Sequence, residues 1–212
     1  MKKIADNLYQ FSMYIPPMDF TIHQYLLATD PAILFAAGTA QQAAAVLPEI
    51  REILGERPLK YVFVSHMETD EAGGVFVIRK TYPDVQVICG NLAARELPGW
   101  GYEGATVAKA GGETLQDGQL DLVFFDYPAE VHDQNGILAL ERNSGILYSA
   151  DLFLRFGNGV GQTIKASWPD EVNAIDKQRI PVKAQREKVQ AALRAVSPKL
   201  VAVGHGFCLD CE

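Results

Sequence analysis

The sequence predicts an α/β protein, and two observations carry that expectation. Short apolar runs of strand length alternate with amphipathic runs of helix length from one end of the chain to the other, the pattern of layered α/β architecture. No linker, internal repeat or low-complexity segment interrupts the alternation, so residues 1–212 are expected to form one domain. A chain of 212 residues, 48% of them hydrophobic, suffices for a single large core.

Residues 21–27 and 32–35 read as strands around the turn signal Thr29-Asp30-Pro31. Val46, Leu47, Ile50, Ile53 and Leu54 recur at helical spacing, which predicts a helix over 40–54, ended by Gly55 and kinked or divided at Pro48. The continuous apolar run 61–64 suits a strand buried on both faces, and it breaks abruptly into a polar cluster beginning Ser65-His66. A helix over 73–81, a strand over 85–89 and a short helix from Asn91 are expected next. A strand over 120–125 follows, then a hairpin of 137–141 and 146–149 across Arg142-Asn143-Ser144-Gly145. The last long helix is expected to start near Pro181, with Val182, Val189, Leu193 and Val196 on one side, and to stop at Ser197-Pro198. A final strand over 200–203 leads into Gly204-His205-Gly206.

A formal net charge of −7 and a pI near 5.1 oppose binding to nucleic acid or to an anionic membrane surface. The start of the chain lacks the apolar stretch of a secretory leader, and no apolar run reaches membrane-spanning length. Three cysteines make no disulfide framework, so the cytoplasm is the expected location.

Of four histidines, His66, His132 and His205 each follow an expected strand at the start of a polar or glycine-bearing loop, where α/β scaffolds build sites. His66-Met67-Glu68-Thr69-Asp70-Glu71 is the sharpest cluster. If it stays extended, alternation points His66, Glu68 and Asp70 the same way, with Glu71 approaching from another side. Such groups repel one another and are expensive to desolvate, a cost that a metal ion removes. The competing reading is a solvated acidic loop in which Asp70 caps the next helix. Asp151, after Leu147-Tyr148-Ser149-Ala150, is a further carboxylate at a strand end. His23, on an alternating strand, reads as structural, and Tyr25, Tyr127, Phe153 and Trp168 read as core aromatics or as lining for a site. Cys208-Leu209-Asp210-Cys211 has no second such pair and reads as a frayed tail.

The order His66-x-Glu68-x-Asp70, His132, Asp151 in Leu-Tyr-Ser-Ala-Asp, and Gly-His205-Gly resembles the metallo-β-lactamase superfamily along the whole chain. Glu68, where most zinc hydrolases of that superfamily carry histidine, resembles the diiron domain of flavodiiron proteins and oxygen-binding diiron proteins. The resemblance implies a four-layer αββα sandwich with the site at one edge of two sheets. It also implies that His66, Glu68 and His132 bind one metal, Asp70 and His205 the other, and that Asp151 bridges both. The chain departs from the family pattern at Glu71, where the family has histidine. Glu71 could coordinate through oxygen, hold a water, or leave the second metal under-ligated. A second departure is Phe35-Ala36-Ala37-Gly38, where the superfamily commonly has an aspartate. No flavodoxin-like domain follows, so no flavin is expected in this chain and electrons would come from outside.

Three histidines and four carboxylates form a hard, oxygen-rich donor set that suits two iron ions, or manganese, better than zinc. The resemblance thus implies a diiron protein that binds or reduces O2, NO or peroxide: either an oxidoreductase served by an external electron-transfer protein or an oxygen sensor with a signalling partner. A homodimer is a weaker implication. The main competitor is a dinuclear zinc hydrolase of thioesters, lactones or phosphoesters, and a third is a binding module that keeps only the fold.

Overall fold

In a computed structural model describing residues 1–128 and 136–212, the strands form two seven-stranded sheets that follow one another along the chain. The first contains β1 (Lys2–Ala5), β2 (Leu8–Ile15), β3 (Phe20–Leu27), β4 (Ala32–Phe35), β5 (Leu59–Val64), β6 (Gln86–Gly90) and β7 (Thr106–Lys109), side by side in that order. Its first four strands are antiparallel and its last three extend it in parallel. Parallel neighbours need long crossovers, and helices supply them. These are α1 (Ala40–Leu54) before β5, α2 (Thr69–Ala72) and α3 (Val75–Thr81) before β6, and α4 (Asn91–Gly99) before β7.

The second sheet contains β8 (Thr114–Asp117), β9 (Leu120–Tyr127), β10 (Gly136–Glu141), β11 (Ile146–Tyr148), β12 (Thr163–Lys165), β13 (Leu200–Ala202) and β14 (Cys208–Asp210), in the spatial order β12-β14-β13-β11-β10-β9-β8. The helices α5 (Trp168–Asn173) and α6 (Lys183–Arg194) lie between β12 and β13 in sequence.

Strand alternation explains the layering. In β5, Phe63 joins a cluster with Phe35, Phe124, Leu138 and Tyr148 between the sheets. Val62 and Val64 point the other way, into a cluster with Val46, Leu47 and Ile50 of α1, Ile78 of α3 and Leu97 of α4. Trp168, Val172, Val189 and Leu193 of α5 and α6 belong to the cluster that contains the second sheet. The order is therefore helices, sheet, sheet, helices: the αββα sandwich that the resemblance implied.

Several expectations need correction. The first helix runs unbroken through Pro48, started by a capping box in which Thr39 and Gln42 satisfy each other's backbone N–H groups. The apolar face of α1 holds the helix together despite one missing backbone bond. The last helix begins at Lys183, close to the expected start, with Val189 and Leu193 buried and Val196 packed against the core after it; Val182 alone of the expected apolar side departs, being exposed at the N-cap. The C-terminal cysteines are not a frayed tail: Cys208 is fully buried in β14, within 3.2 Å of the Tyr25 hydroxyl. Pairing with β12 and β13 decides this, and a three-residue strand leaves no periodic signal in sequence. Strands β1, β2, β7, β8 and β12 and helix α5 were likewise too short or too mixed in pattern to be read. No helix among the described residues is long and apolar enough to cross a membrane.

Candidate metal centre

Three chain reversals at the C-terminal ends of strands meet at one edge of the sandwich. The first follows β5 and carries Ser65-His66, the second follows β11 and carries Asp151, and the third follows β13 and carries His205. Backbone bonds lock them together. Ile137 N–H donates to the Ser65 carbonyl at 3.1 Å, and Gly204 N–H donates to that of Ala150 at 2.8 Å. His23 N–H donates to the Gly204 carbonyl at 2.9 Å, which ties the His205 loop to the first sheet. Gly206 has φ of +85°, and a Cβ there would lie 2.1 Å from the Arg155 carbonyl oxygen, so only glycine fits.

Asp151 lies at the middle of the resulting cluster. Its Oδ2 is 3.5 Å from His66 Nε2 and its Oδ1 is 3.1 Å from His205 Nε2. Each histidine also faces a carboxylate of its own: Glu68 Oε2 is 3.3 Å from His66 Nε2, and Asp70 Oδ2 is 3.4 Å from His205 Nε2. The ligating atoms of His66, Glu68 and Asp151 lie within 4.8 Å of one another. The imidazoles are buried, at 2% and 6% side-chain exposure, whereas Glu68 at 31% opens the cluster to solvent.

His205 shows that the donors suit a cation. Its Nδ1 is 3.1 Å from the Thr21 carbonyl oxygen, which only accepts, so Nδ1 carries the hydrogen. A neutral ring then turns the Nε2 lone pair toward two carboxylate oxygens, an arrangement that needs a proton or a metal ion between them. Electrostatics agree. Burial would lower the pKa of His66, but the hydrogen bond to Glu68 and the charges of Glu71 and Asp151 outweigh it and hold the ring at about 9. Burial likewise works against protonation of His205, and Asp151 and Asp70 raise it nonetheless. Burial is also the main reason that the Asp70 carboxyl is raised.

Two expectations about the acidic loop change. The segment does not stay extended: α2 begins at Thr69 with Glu68 at its N-cap. Successive helical residues point about 100° apart, so Asp70 faces His205 and Glu71 turns inward. The Glu71 carboxylate is buried, accepting the Tyr148 O–H at Oε1 and the Ser65 N–H at 3.2 Å at Oε2. Glu71 therefore links the loop after β5 to β11 of the second sheet. Burial pushes its pKa up to about 7 against the pull of His66 and Tyr148. Its backbone carbonyl accepts the Ala37 N–H at 2.7 Å, so the Ala36-Ala37-Gly38 turn supports the loop through the main chain.

His132 lies outside the described residues. Among the aromatics, Tyr127 approaches the cluster edge-on, with its ring centroid 6.3 Å from that of His66, and Tyr25, Phe153 and Trp168 are buried core residues. Residues that the sequence did not single out complete the setting. Phe20 stacks on His205 at 4.4 Å, and Tyr148 holds Glu71 from three residues before Asp151. A hydroxyl in a fully buried strand was the one signal that could have marked Tyr148. His23 is buried, and burial drops its pKa to about 4, so it is neutral.

Solved structures with the same fold bear on this arrangement. The rubredoxin oxygen:oxidoreductase of the anaerobe Desulfovibrio gigas matches with a TM-score of 0.80 at 18% identity, over 99% of this chain and 57% of that one. The flavodiiron protein of Giardia intestinalis matches with a TM-score of 0.78 at 17% identity, over 99% and 55%. A fragment of a diflavin flavoprotein from a Nostoc species matches with a TM-score of 0.77 at 19% identity, over 98% and 87%. The chain thus spans a little over half the length of the first two, and at these identities the likeness establishes a shared fold. No curated protein matches the sequence. A family profile described as ODP family beta lactamase matches residues 20–206, and by that match over most of its length the chain belongs to this family of the metallo-β-lactamase fold.

Proposed function

We propose that the chain is a diiron protein that binds O2 or a related small oxidant, NO or peroxide, and either reduces it with electrons from a separate donor or acts as an oxygen sensor. The observation that carries this reading is the placement of Asp151, one oxygen toward each of two buried histidines that each face a carboxylate of their own. Family membership supports it, as do the names of the similar structures, among them flavodiiron proteins and an oxygen:oxidoreductase.

In this reading His66, Glu68 and Asp151, with His132, hold one metal ion, and Asp70, His205 and Asp151 hold the other. Bound iron would supply redox equivalents and open coordination positions, and the carboxylate-rich donor set favours iron or manganese over zinc. The chain contributes burial of both imidazoles, a fixed His205 tautomer through Thr21, and an inward buttress of Glu71 and Tyr148. A single domain over residues 1–212 and a cytoplasmic location are part of the reading, supported by an apolar layer shared by both sheets and by three free cysteines. The test is elemental analysis of protein purified without oxygen, with optical spectra before and after air is admitted. About two irons per chain and a new charge-transfer band in air are expected. Zinc at that stoichiometry with no spectral change would instead indicate a hydrolase.

Proton release gives an independent check. A metal ion needs the neutral imidazole, so uptake must displace the proton that His66 holds up to about 9. Titration of the metal-free protein with zinc in weak buffer at neutral pH is expected to release about one proton from this ring, and affinity should rise about tenfold per pH unit toward 9. PH-independent uptake would contradict the assignment of His66. Because its pKa is raised, the protonated ring's contribution to folding stability is fully present below its unfolded pKa of about 6.5 and is lost as pH climbs through about 9.

A further inference from the structure

Two polar side chains of the first sheet, Ser12 in β2 and His23 in β3, take no part in the donor set. They face each other directly across the strands, and His23 is 1% exposed. His23 Nε2 is 2.7 Å from the Gly206 carbonyl oxygen, and Ser12 Oγ is 2.7 Å from His23 Nδ1. A carbonyl only accepts, so Nε2 carries the hydrogen and Nδ1 accepts the Ser12 hydroxyl; the hydroxyl fixes the tautomer. The backbone N–H of the same residue donates to the Gly204 carbonyl. His23 therefore grips the chain immediately before and immediately after His205.

That grip is needed where it occurs. His205 stands between two glycines, the residues that resist backbone rotation least, and nothing within the loop's own sequence specifies where the imidazole points. The constraints come from the start of β3. Phe20 stacks on the ring, the Thr21 carbonyl accepts from Nδ1, and His23 clamps the backbone on both sides. Among the described residues, the His66 half of the cluster is built on β5 and α2, and the contacts of Phe20, Thr21 and His23 are made to the His205 loop.

We propose that His23, oriented by Ser12, is a positioning residue for His205, and that it sets metal affinity in the Asp70–Asp151–His205 half of the centre without affecting the His66–Glu68–Asp151 half. The proposal rests on the dinuclear reading above. Removal of such a supporting contact typically weakens metal binding 10–100-fold.

The test is stepwise zinc titration of the full-length, metal-free protein against a chromophoric chelator, which resolves two affinities. Wild-type protein that takes up fewer than two ions would defeat the dinuclear reading itself. Given two, His23→Ala should weaken one affinity about 10–100-fold and leave the other in place. His23→Gln, whose side-chain amide can donate to Gly206, should restore most of the loss, and Ser12→Ala should give a smaller loss of the same kind. In a His66→Ala background, His23→Ala should weaken the remaining site; in a His205→Ala background it should change nothing further. Equal weakening of both sites, no weakening, or an undiminished effect in the His205→Ala background would overturn the proposal. Should His23→Ala fail to fold, the His23→Gln and Ser12→Ala titrations decide it alone, since an unselective loss in either contradicts it.

Discussion

Asp151→Ala is expected to abolish uptake at both metal positions, whereas His66→Ala and His205→Ala each remove mainly one. The asymmetry follows from geometry. Among the described residues, Asp151 alone offers an oxygen to each half, at 3.5 Å from His66 and 3.1 Å from His205, whereas Glu68 faces His66 and Asp70 faces His205. Its removal leaves each half with one carboxylate and one imidazole among the described residues, and it takes away the negative charge that offsets two cations. Asp151→Asn is the sharper variant, because it preserves shape and one neutral oxygen but supplies no charge. Metal content by elemental analysis after dialysis is the measurement. Retention of a full complement by Asp151→Ala would refute the bridging assignment.

Phe63→Ala is expected to cost about 3–5 kcal/mol of folding stability. Phe63 is fully buried in β5 and joins the two sheets. Its ring lies 5.8 Å from Phe35 in the first sheet, and 6.1 Å from Phe124 and 5.8 Å from Tyr148 in the second. Loss of this ring removes apolar burial and leaves a cavity that a sheet, hydrogen-bonded on both sides, closes poorly. For a chain of this size the midpoint of thermal unfolding should fall by roughly 6–20 °C. Phe63→Leu, which keeps most of the volume, should cost only about 1–1.5 kcal/mol. Urea unfolding of both variants checks the order. Because Phe63 lies three residues before His66, Phe63→Ala should also weaken metal retention, and equal stability of the two variants would show that the sheets are not held together through this ring.

The sequence by itself determined the class of the fold and most of the candidate donors. Continuous apolar runs at β4 and β5, amphipathic spacing in α1 and the Arg142-Asn143-Ser144-Gly145 turn are local signals, set by side-chain periodicity and turn chemistry over a few residues. His66, Glu68, Asp70, Asp151 and His205 were legible because each follows such a strand and their order resembles a family pattern. Only the tertiary structure decided the rest. That the Glu71 carboxylate is buried and accepts from Tyr148 depends on where α2 starts and on a hydroxyl from the other sheet. The role of His23 depends on a carbonyl 183 residues away, and the burial of Cys208 depends on strands that pair across the chain. The physical reason is common to all three: hydrogen-bond partners and burial are properties of contacts distant in sequence, and they leave no periodic trace in the segments that make them.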